Sequence, residues 1–310
     1  MQPQGRPLRG IMLKLGSVLV FIVMAGLIKA TSAHVPGGEA AFFRSLFAIP
    51  VILVWLVWQG ELRSGLATRN PLGHVWRGFA GTMAMGLGFS ALGYLPLPEV
   101  TAIGYAAPLL TVIFAAMFLG EEVRAFRISA VALGLAGVLI VLSPRLSLLQ
   151  QSNAGHVQAF GAMLVLGSAV FAALAQVFVR KLVQTERTPA IVFWFSVTAT
   201  VLSLATFPFG WVWPTPREAV FLVISGLLGG VGQVLLTAAY READASLVAP
   251  FDYASMLFAL AIGWYVFAEV PTWTMLAGAA LVILAGILII WREHSLGLER
   301  RRQRKATPPA

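Results

Sequence analysis

The feature that most constrains the fold of this chain is that a long part of its sequence occurs twice. Residues 94–144 contain two apolar runs separated by a short acidic and basic segment, and a similar pattern returns over residues 240–290. Tyr105 and Tyr253 occupy matching positions in the two copies, 148 residues apart. Because the repeated unit is about half of the chain, the pattern indicates a duplication rather than a solenoid of short repeats.

The composition indicates that most of the chain lies in lipid. Hydrophobic residues make up 58% of the chain and charged residues 11%, whereas a soluble domain usually carries about 25% charged residues. A helix that spans a bilayer needs about 20 apolar residues. The predicted spans are 11–29, 38–58, 75–94, 99–119, 127–143, 159–179, 190–210, 218–239, 246–267 and 272–291. These runs lack the two-residue alternation of a barrel strand, so the sequence predicts an all-α membrane protein with ten transmembrane helices.

The distribution of basic residues predicts the orientation of these spans. With the N-terminus in the cytoplasm, most of the 22 Lys and Arg residues lie at cytoplasmic ends, and the opposite side holds only Lys29, Arg145 and Arg217. We therefore attribute the net charge of +9 to the excess of basic residues on cytoplasmic loops, not to a nucleic-acid partner. This interpretation places both termini in the cytoplasm and the chain in the cell inner membrane.

The duplication and the predicted orientation together indicate inverted repeats. Five helices per copy is an odd number, so the second copy starts from the opposite side of the membrane. The predicted units are a first five-helix repeat at 9–144, a second at 156–292, and a basic cytoplasmic tail at 293–310. Glu121 and Glu269 are then expected at hinges on opposite faces. Inverted repeats around a central cavity are typical of secondary transporters, whose substrate sites lie near the midplane.

Three segments of the chain resemble the EamA-type branch of the drug/metabolite transporter superfamily. They are Gly-Glu-Ala-Ala-Phe-Phe-Arg at 38–44, Pro108 followed by the Gly-Glu pair at 120–121, and Ala-Pro-Phe-Asp-Tyr at 249–253 followed by Glu269. The resemblance covers roughly residues 9–292. It implies a basket of ten helices around a central cavity and transport of a small metabolite such as an amino acid, S-adenosylmethionine or riboflavin.

Charged residues inside the spans are the first candidates for substrate contacts, because a charge in lipid is costly and marks function. Arg44 is expected to bind an anionic group of the substrate, or alternatively to pair with Glu39 or another acid. Glu39 is itself a candidate contact. Asp252 follows Pro250 in a span that proline should interrupt, and it could hold a substrate amine or a coupling proton. The alternative for Asp252 is a structural pair with Arg241 or a helix end.

Uncharged side chains complete the predicted binding site. Tyr105 and Tyr253 could stack on a flat solute, although tyrosine is also common at membrane interfaces. Gln176 and Gln233 are isolated polar groups in the sixth and eighth spans, and either could bind substrate or bridge two helices. This mainly aromatic lining with few charges disfavours nucleotides and free sugars, and it favours a compact solute with a ring.

Several kinds of chemistry have no signal in the sequence. There is no phosphate-binding loop of the G-x-x-x-x-G-K-[ST] type. There is no cysteine, and the four histidines fall at span ends, so no metal cluster is expected. We find no cluster of acid, base and nucleophile at one depth. The sequence therefore predicts no cofactor, no metal and no catalytic residue, and the chain is not expected to be an enzyme.

The function predicted from sequence is secondary-active transport of a small organic metabolite, with the bilayer and that solute as partners. A broad-specificity metabolite or drug exporter is the first alternative. An intramembrane lipid-modifying enzyme is the alternative from another class. The substrate, the direction of transport, the coupling ion and the oligomeric state, a homodimer included, are left open.

Overall fold

The structure is a computed structural model that describes residues 7–119, 125–148, 153–183, 185–242 and 249–306. Within these ranges all regular structure is helical. The α-helices are α1 (Pro7–Thr31), α2 (Gly37–Trp58), α3 (Leu62–Leu66), α4 (Pro71–Ala91), α5 (Leu97–Gly104), α6 (Ala106–Leu119), α7 (Ala125–Leu148), α8 (Asn153–Leu182), α9 (Thr188–Leu204), α10 (Pro216–Glu242), α11 (Ala254–Phe267) and α12 (Trp273–Ala306). Two 3-10 turns occur at Phe207–Phe209 and Ala249–Tyr253. Glu121 lies outside the described residues, so its hinge role stays a prediction.

Many of these helices are long and apolar enough to cross a membrane. Five such segments are Leu8–Thr31, Gly37–Trp58, Leu97–Phe118, His156–Val179 and Pro216–Ala239. Shorter apolar helices lie at Ile128–Pro144, Thr188–Leu204, Phe251–Phe267 and Trp273–Ile289. The chain is therefore a multi-pass, all-helical membrane protein, as its composition predicts.

Local sequence explains where several helices begin. The side chain of Asn70 accepts a hydrogen bond of 2.9 Å from the backbone N–H of Gly73, and Pro71 is the first residue of α4. An asparagine cap followed by proline is a favourable helix start, because the cap satisfies a free N–H and proline has none to lose. A proline near the first turn also marks the starts of α5 and α9.

The fourth predicted span, 99–119, is interrupted in the structure. Helix α5 ends at Gly104, and α6 begins at Ala106. Pro108 explains the interruption, since it has no N–H to donate to the carbonyl of Gly104 four residues earlier. The predicted ninth span is also irregular, because the 3-10 turn that contains Pro250 precedes α11.

Three helices are longer than the sequence predicts. The predicted fifth span ends at residue 143 and the sixth begins at 159, but α7 extends to Leu148 and α8 begins at Asn153. Likewise, α12 continues through most of the predicted tail to Ala306. Polar residues do not end a helix by themselves, and the hydropathy pattern detects only the part that lies in lipid.

Several contacts between the two halves of the chain occur in matching pairs. In each such pair, a helix of the first half contacts a helix of the second half, and the helices at the corresponding places with the halves swapped also contact each other. Helix α1 packs along α10, and α8 packs along α4; α2 contacts α10, and α9 contacts α4. In the same way α1 contacts α11, and α8 contacts α6. The remaining large contacts, α2 with α9 and α7 with α12, join helices at matching places in the two halves.

Two glutamates make matching connections between the halves. Glu39, in the first turn of α2, accepts a 3.1 Å hydrogen bond from the backbone N–H of Val212, in the connection that precedes α10. Glu186 lies 147 positions later, before α9, and accepts hydrogen bonds of 2.7 Å from the N–H groups of Arg69 and Asn70, directly before α4. Although burial opposes ionisation of Glu186, these hydrogen bonds outweigh it and lower the pKa of its carboxyl group.

A lysine fastens several elements at the end of the bundle where α1 ends. Nζ of Lys29 lies 2.9 Å from a carboxylate oxygen of Glu269, and it donates to the backbone carbonyls of Leu92 and Leu95 at 3.1 and 2.8 Å. The other oxygen of Glu269 accepts a 2.8 Å hydrogen bond from the N–H of Leu97. Helix α1, the α4–α5 connection and the end of α11 are therefore tied together at one point.

Candidate functional site

The two interrupted spans, one from each half of the chain, meet at a pair of tyrosines. The ring centroids of Tyr105 and Tyr253 lie 5.1 Å apart in an edge-to-face arrangement. The Tyr105 hydroxyl group lies 2.6 Å from Oγ of Ser255 and donates to the carbonyl of Tyr253 at 3.3 Å. Both rings are buried in an apolar cluster formed by both halves. The structure thus brings the two predicted tyrosines together, and their role in stacking on a solute stays a prediction.

Asp252, one of the two charges singled out from sequence, forms an ion pair with a lysine on α1. Nζ of Lys14 lies 2.7 Å from Oδ1 of Asp252. The Lys14 side chain is 2% exposed, whereas that of Asp252 is 53% exposed. The acid is therefore the exposed member of the pair, and the lysine is the buried one. The expected alternative partner, Arg241, has a side chain outside the described residues.

Arg44, the other predicted charge, is buried on α2 at 3% exposure. Its Nε and Nη1 atoms find no hydrogen-bond acceptor among the described residues. Its guanidinium carbon lies 5.7 Å from the ring centroid of Phe195 of α9. The alternative pairing with Glu39 is not seen, because the bond from Val212 engages that acid instead.

A second arginine, Arg77 of α4, lies against the same phenylalanine. Its guanidinium carbon is 4.0 Å from the Phe195 centroid, within the range of a cation–π contact. Its Nε and Nη1 are also buried, and nothing in the described part of the chain accepts a hydrogen bond from them. Sequence reasoning assigned both Arg77 and Lys14 to the cytoplasmic ends of their spans. The Asn-Pro start signal at 70–71 could have shown that Arg77 lies nearly two turns inside its helix.

Two glycines provide the space that these arginines occupy. A Cβ atom on Gly81 of α4 would overlap Nη1 of Arg77 and would lie 2.6 Å from the ring of Phe195. A Cβ atom on Gly229 of α10 would lie 3.0 Å from Nε of Arg44. With a side chain at Gly81, Arg77 or Phe195 would therefore have to shift.

A cavity of about 420 Å³ opens between the same three helices that hold the cluster, α2, α4 and α9. Its wall is almost entirely apolar and includes Ala41, Thr82, Met83, Leu87, Leu202 and Ser203. Among the lining residues, Ala41 lies three residues from Arg44, Phe79 two from Arg77, and Leu202 seven from Phe195. At 1.5 Å per helical residue, these offsets along the helices are about 3–11 Å. The lining itself does not include Arg44, Arg77 or Phe195.

The other predicted contacts do not join this cluster. Gln176 is exposed on α8, and Gln233 is partly buried on α10. Glu39 is 1% exposed at the start of α2. Their roles in substrate binding stay predictions. Across the described ranges no group of three or more His, Cys, Asp or Glu residues could hold a metal ion.

Comparison with known proteins identifies the chain as a transporter. The model of the EamA-like transporter family matches it twice, at residues 8–143 and 159–291. A solved crystal structure with 20% sequence identity has the same fold, with a TM-score of 0.64, and the match covers 93% of this chain and 98% of that chain.

Several curated proteins are similar over most of their length. The chain is 30% identical over 281 residues to the pseudopaline exporter CntI of Pseudomonas aeruginosa. The aligned region covers 90% of this chain and 95% of the relative. The chain is 28% identical to the S-adenosylmethionine uptake transporter of Rickettsia bellii (82% and 84% covered) and 29% identical to the riboflavin transporter of Rhizobium johnstonii (87% and 84% covered). The chain belongs to the EamA-like transporter family.

Proposed function

We propose that this protein is a secondary-active transporter that moves a small organic metabolite across the cytoplasmic membrane by alternating access. The relatives are named for pseudopaline, S-adenosylmethionine and riboflavin, which are small organic solutes. The candidate solutes are an amino acid, a ring-containing vitamin-like compound such as riboflavin, or S-adenosylmethionine. A broad-specificity exporter is the second candidate, and the similarity to an exporter favours it.

The architecture that we propose is ten transmembrane helices in two inverted five-helix repeats, with both termini in the cytoplasm. The two matches of the family model support the two repeats. The exchange of helix contacts between the halves supports their relation by a two-fold axis, since the contacts of α1 and α2 with α10 have counterparts in those of α8 and α9 with α4. Glu39 and Glu186 support the same relation at the level of single residues. Glu39 accepts a hydrogen bond from the connection before α10, and Glu186 accepts one from the connection before α4, the corresponding helix of the first half.

The observation that carries the proposal is the meeting of two interrupted helices between the halves. Discontinuous helices at a repeat interface form the solute and ion sites of many secondary transporters, because interrupted backbone is tolerated at that depth only where it is buried or lines a cavity. Here the interruptions at Tyr105 and before Ala254 contact each other, and the accessible carboxylate of Asp252 lies beside the second one.

Counterflow in proteoliposomes tests this proposal without knowledge of the coupling ion or of the direction. Purified protein is reconstituted into vesicles loaded with unlabelled phenylalanine, riboflavin or S-adenosylmethionine, and the labelled form of the same solute is then added outside. One site that opens alternately to each side must accumulate label transiently, whereas a channel only equilibrates it. We expect transient accumulation of at least one of the three solutes.

The variant to compare with the unchanged protein is Asp252→Asn, which keeps the size of the side chain and removes its charge. We expect it to reduce the initial rate of counterflow by at least about tenfold, the effect of losing roughly 1.4 kcal/mol of binding or transition-state stabilisation. If none of the three solutes shows counterflow, or if label only equilibrates, the proposal is wrong. Counterflow of all three at similar rates would favour the broad-specificity exporter.

A further inference from the structure

We propose that Arg44 and Arg77, whose guanidinium groups both lie against the ring of Phe195, form a clamp for a single carboxylate group of the transported solute. This inference rests on the proposed transport function, which it deepens by naming a substrate class. The clamp is built from three helices, since Arg44 comes from α2, Arg77 from α4 and the phenylalanine from α9.

The first argument is the absence of compensation for two positive charges. A buried ion is stable only when it is paired and hydrogen-bonded, because it loses its hydration on burial. Four buried guanidinium nitrogens, Nε and Nη1 of each arginine, have no acceptor among the described residues, and no ion pair in that part of the chain includes either arginine. The ring of Phe195 offers only its weakly negative face to both cations. An anionic ligand would supply the missing charge and the missing acceptors.

The second argument is geometric preorganisation. Phe195 packs against both guanidinium groups, and Gly81 and Gly229 leave the space in which they lie. Holding planar donors in place before a ligand arrives lowers the entropy cost of binding. Guanidinium groups match the two oxygens of a carboxylate with parallel hydrogen bonds, which a lysine cannot do.

The cavity between the same three helices indicates what the rest of the solute is. Its wall, which includes Met83, Leu87 and Leu202, suits a ring or an alkyl group. Ser203 also lines the cavity, and its Oγ is buried without a hydrogen-bond partner within the described ranges. A phosphate dianion carries a third oxygen and a second charge, and this apolar wall has little to satisfy them.

The first test is the stability of the protein without ligand. If the arginines serve a ligand, replacing either with methionine removes an uncompensated charge at similar volume, and the melting temperature in detergent should stay equal or rise by roughly 2–4 °C. If either arginine instead holds the fold together, Arg44→Met and Arg77→Met should lower the melting temperature. A fall of more than about 2 °C in both variants would overturn the proposal.

The second test is binding to the full chain in detergent, measured as a shift in melting temperature with three probes of the same ring. Benzoate carries one carboxylate, benzamide is its neutral counterpart, and phenyl phosphate carries a dianion. We expect benzoate alone to raise the melting temperature in a concentration-dependent manner. The shift should disappear in Arg44→Met and Arg77→Met, and Arg44→Lys should retain it at roughly tenfold higher benzoate concentration, because lysine keeps the charge but not the fork.

Arg217→Met is the matched control, because this exposed arginine at the start of α10 lies 5.3 Å from an aromatic ring, Phe221, and far along the chain from the clamp. It should keep the full benzoate shift. Equal shifts with benzoate and benzamide, no shift with benzoate, or a shift that survives both clamp variants would each overturn the proposal. A larger shift with phenyl phosphate would overturn the assignment of a carboxylate.

The result is independent of the counterflow experiment, since binding in detergent requires no transport. Benzoate binding that depends on both arginines, together with failed counterflow, would contradict transport and retain the anion site. Counterflow that is unchanged in both methionine variants would contradict the clamp and retain the transporter.

Discussion

At the scale of single residues, Ala268 has a backbone conformation that suits glycine. It directly follows the last residue of α11, and its φ is 54°. No other non-glycine residue within the described ranges has a positive φ. The N–H of Ala268 bonds to Trp264, and that of Glu269 bonds to Gly263, which closes the last turn. A left-handed conformation costs a residue with a side chain about 1–2 kcal/mol. In the other copy of the repeat, the matching position is Gly120.

We therefore predict that Ala268→Gly stabilises the protein. Part of the gain is lost to the greater freedom of glycine in the unfolded chain, so the expected net effect is about 0.5–1 kcal/mol. The measurement is thermal unfolding in detergent. Ala261→Gly, the same change within α11, is the control and should destabilise by about 1 kcal/mol. If both substitutions lower the melting temperature alike, the strain at Ala268 is not significant.

The sequence predicted some of the important charges and missed others for a definite reason. Arg44 and Asp252 were found because they lie well inside apolar runs. Lys14 and Arg77 were missed because hydropathy does not distinguish a residue at a helix end from one two turns deeper. Their partners, Asp252 and Phe195, are more than a hundred positions away in sequence, so local patterns carry no information about these contacts.

At the scale of elements, the ion pair between Lys14 and Asp252 connects α1 to the 3-10 turn before α11. The pair joins the first helix of one half to the interrupted span of the other. Local sequence predicted that interruption, because the mechanism is proline's missing N–H, a property of the residue itself. It did not predict that the turn would be held by α1.

We predict that Asp252→Asn destabilises the protein, and that a second change, Lys14→Met, restores much of the loss. The single variant removes the carboxylate charge that lies 2.7 Å from a buried ammonium group. The expected cost is roughly 1–3 kcal/mol, less than for a fully buried pair because Asp252 is half exposed. Thermal unfolding of the two single variants and the double variant forms a double-mutant cycle. Additive effects would show that the 2.7 Å contact contributes no coupling energy.

At the scale of the whole molecule, the exchange of helix contacts and the two matches to the family model agree with a duplicated chain. The opposite orientation of the two halves stays a prediction, which rests on the distribution of basic residues along the entire sequence. The helix extensions into 143–158 and 293–306 could not be predicted from hydropathy, since those turns lie beyond the apolar runs.

Topology mapping tests the orientation directly. Reporter fusions after Arg69 and after Arg302 should both report the cytoplasm, and a fusion after Asn153 should report the opposite side. An odd number of spans in each half requires this difference. A cytoplasmic signal at Asn153 would contradict inverted repeats.

The contacts of Lys29 have a consequence for the speed of the cycle. Any motion that separates α1, the α4–α5 connection and the end of α11 must break the 2.9 Å ion pair with Glu269 together with three hydrogen bonds, two from Lys29 and one to Glu269. Water compensates such bonds only after the gap has opened wide enough to admit it. Opening at this end of the bundle should therefore have a high activation enthalpy, and the turnover rate should rise steeply with temperature if that opening limits it.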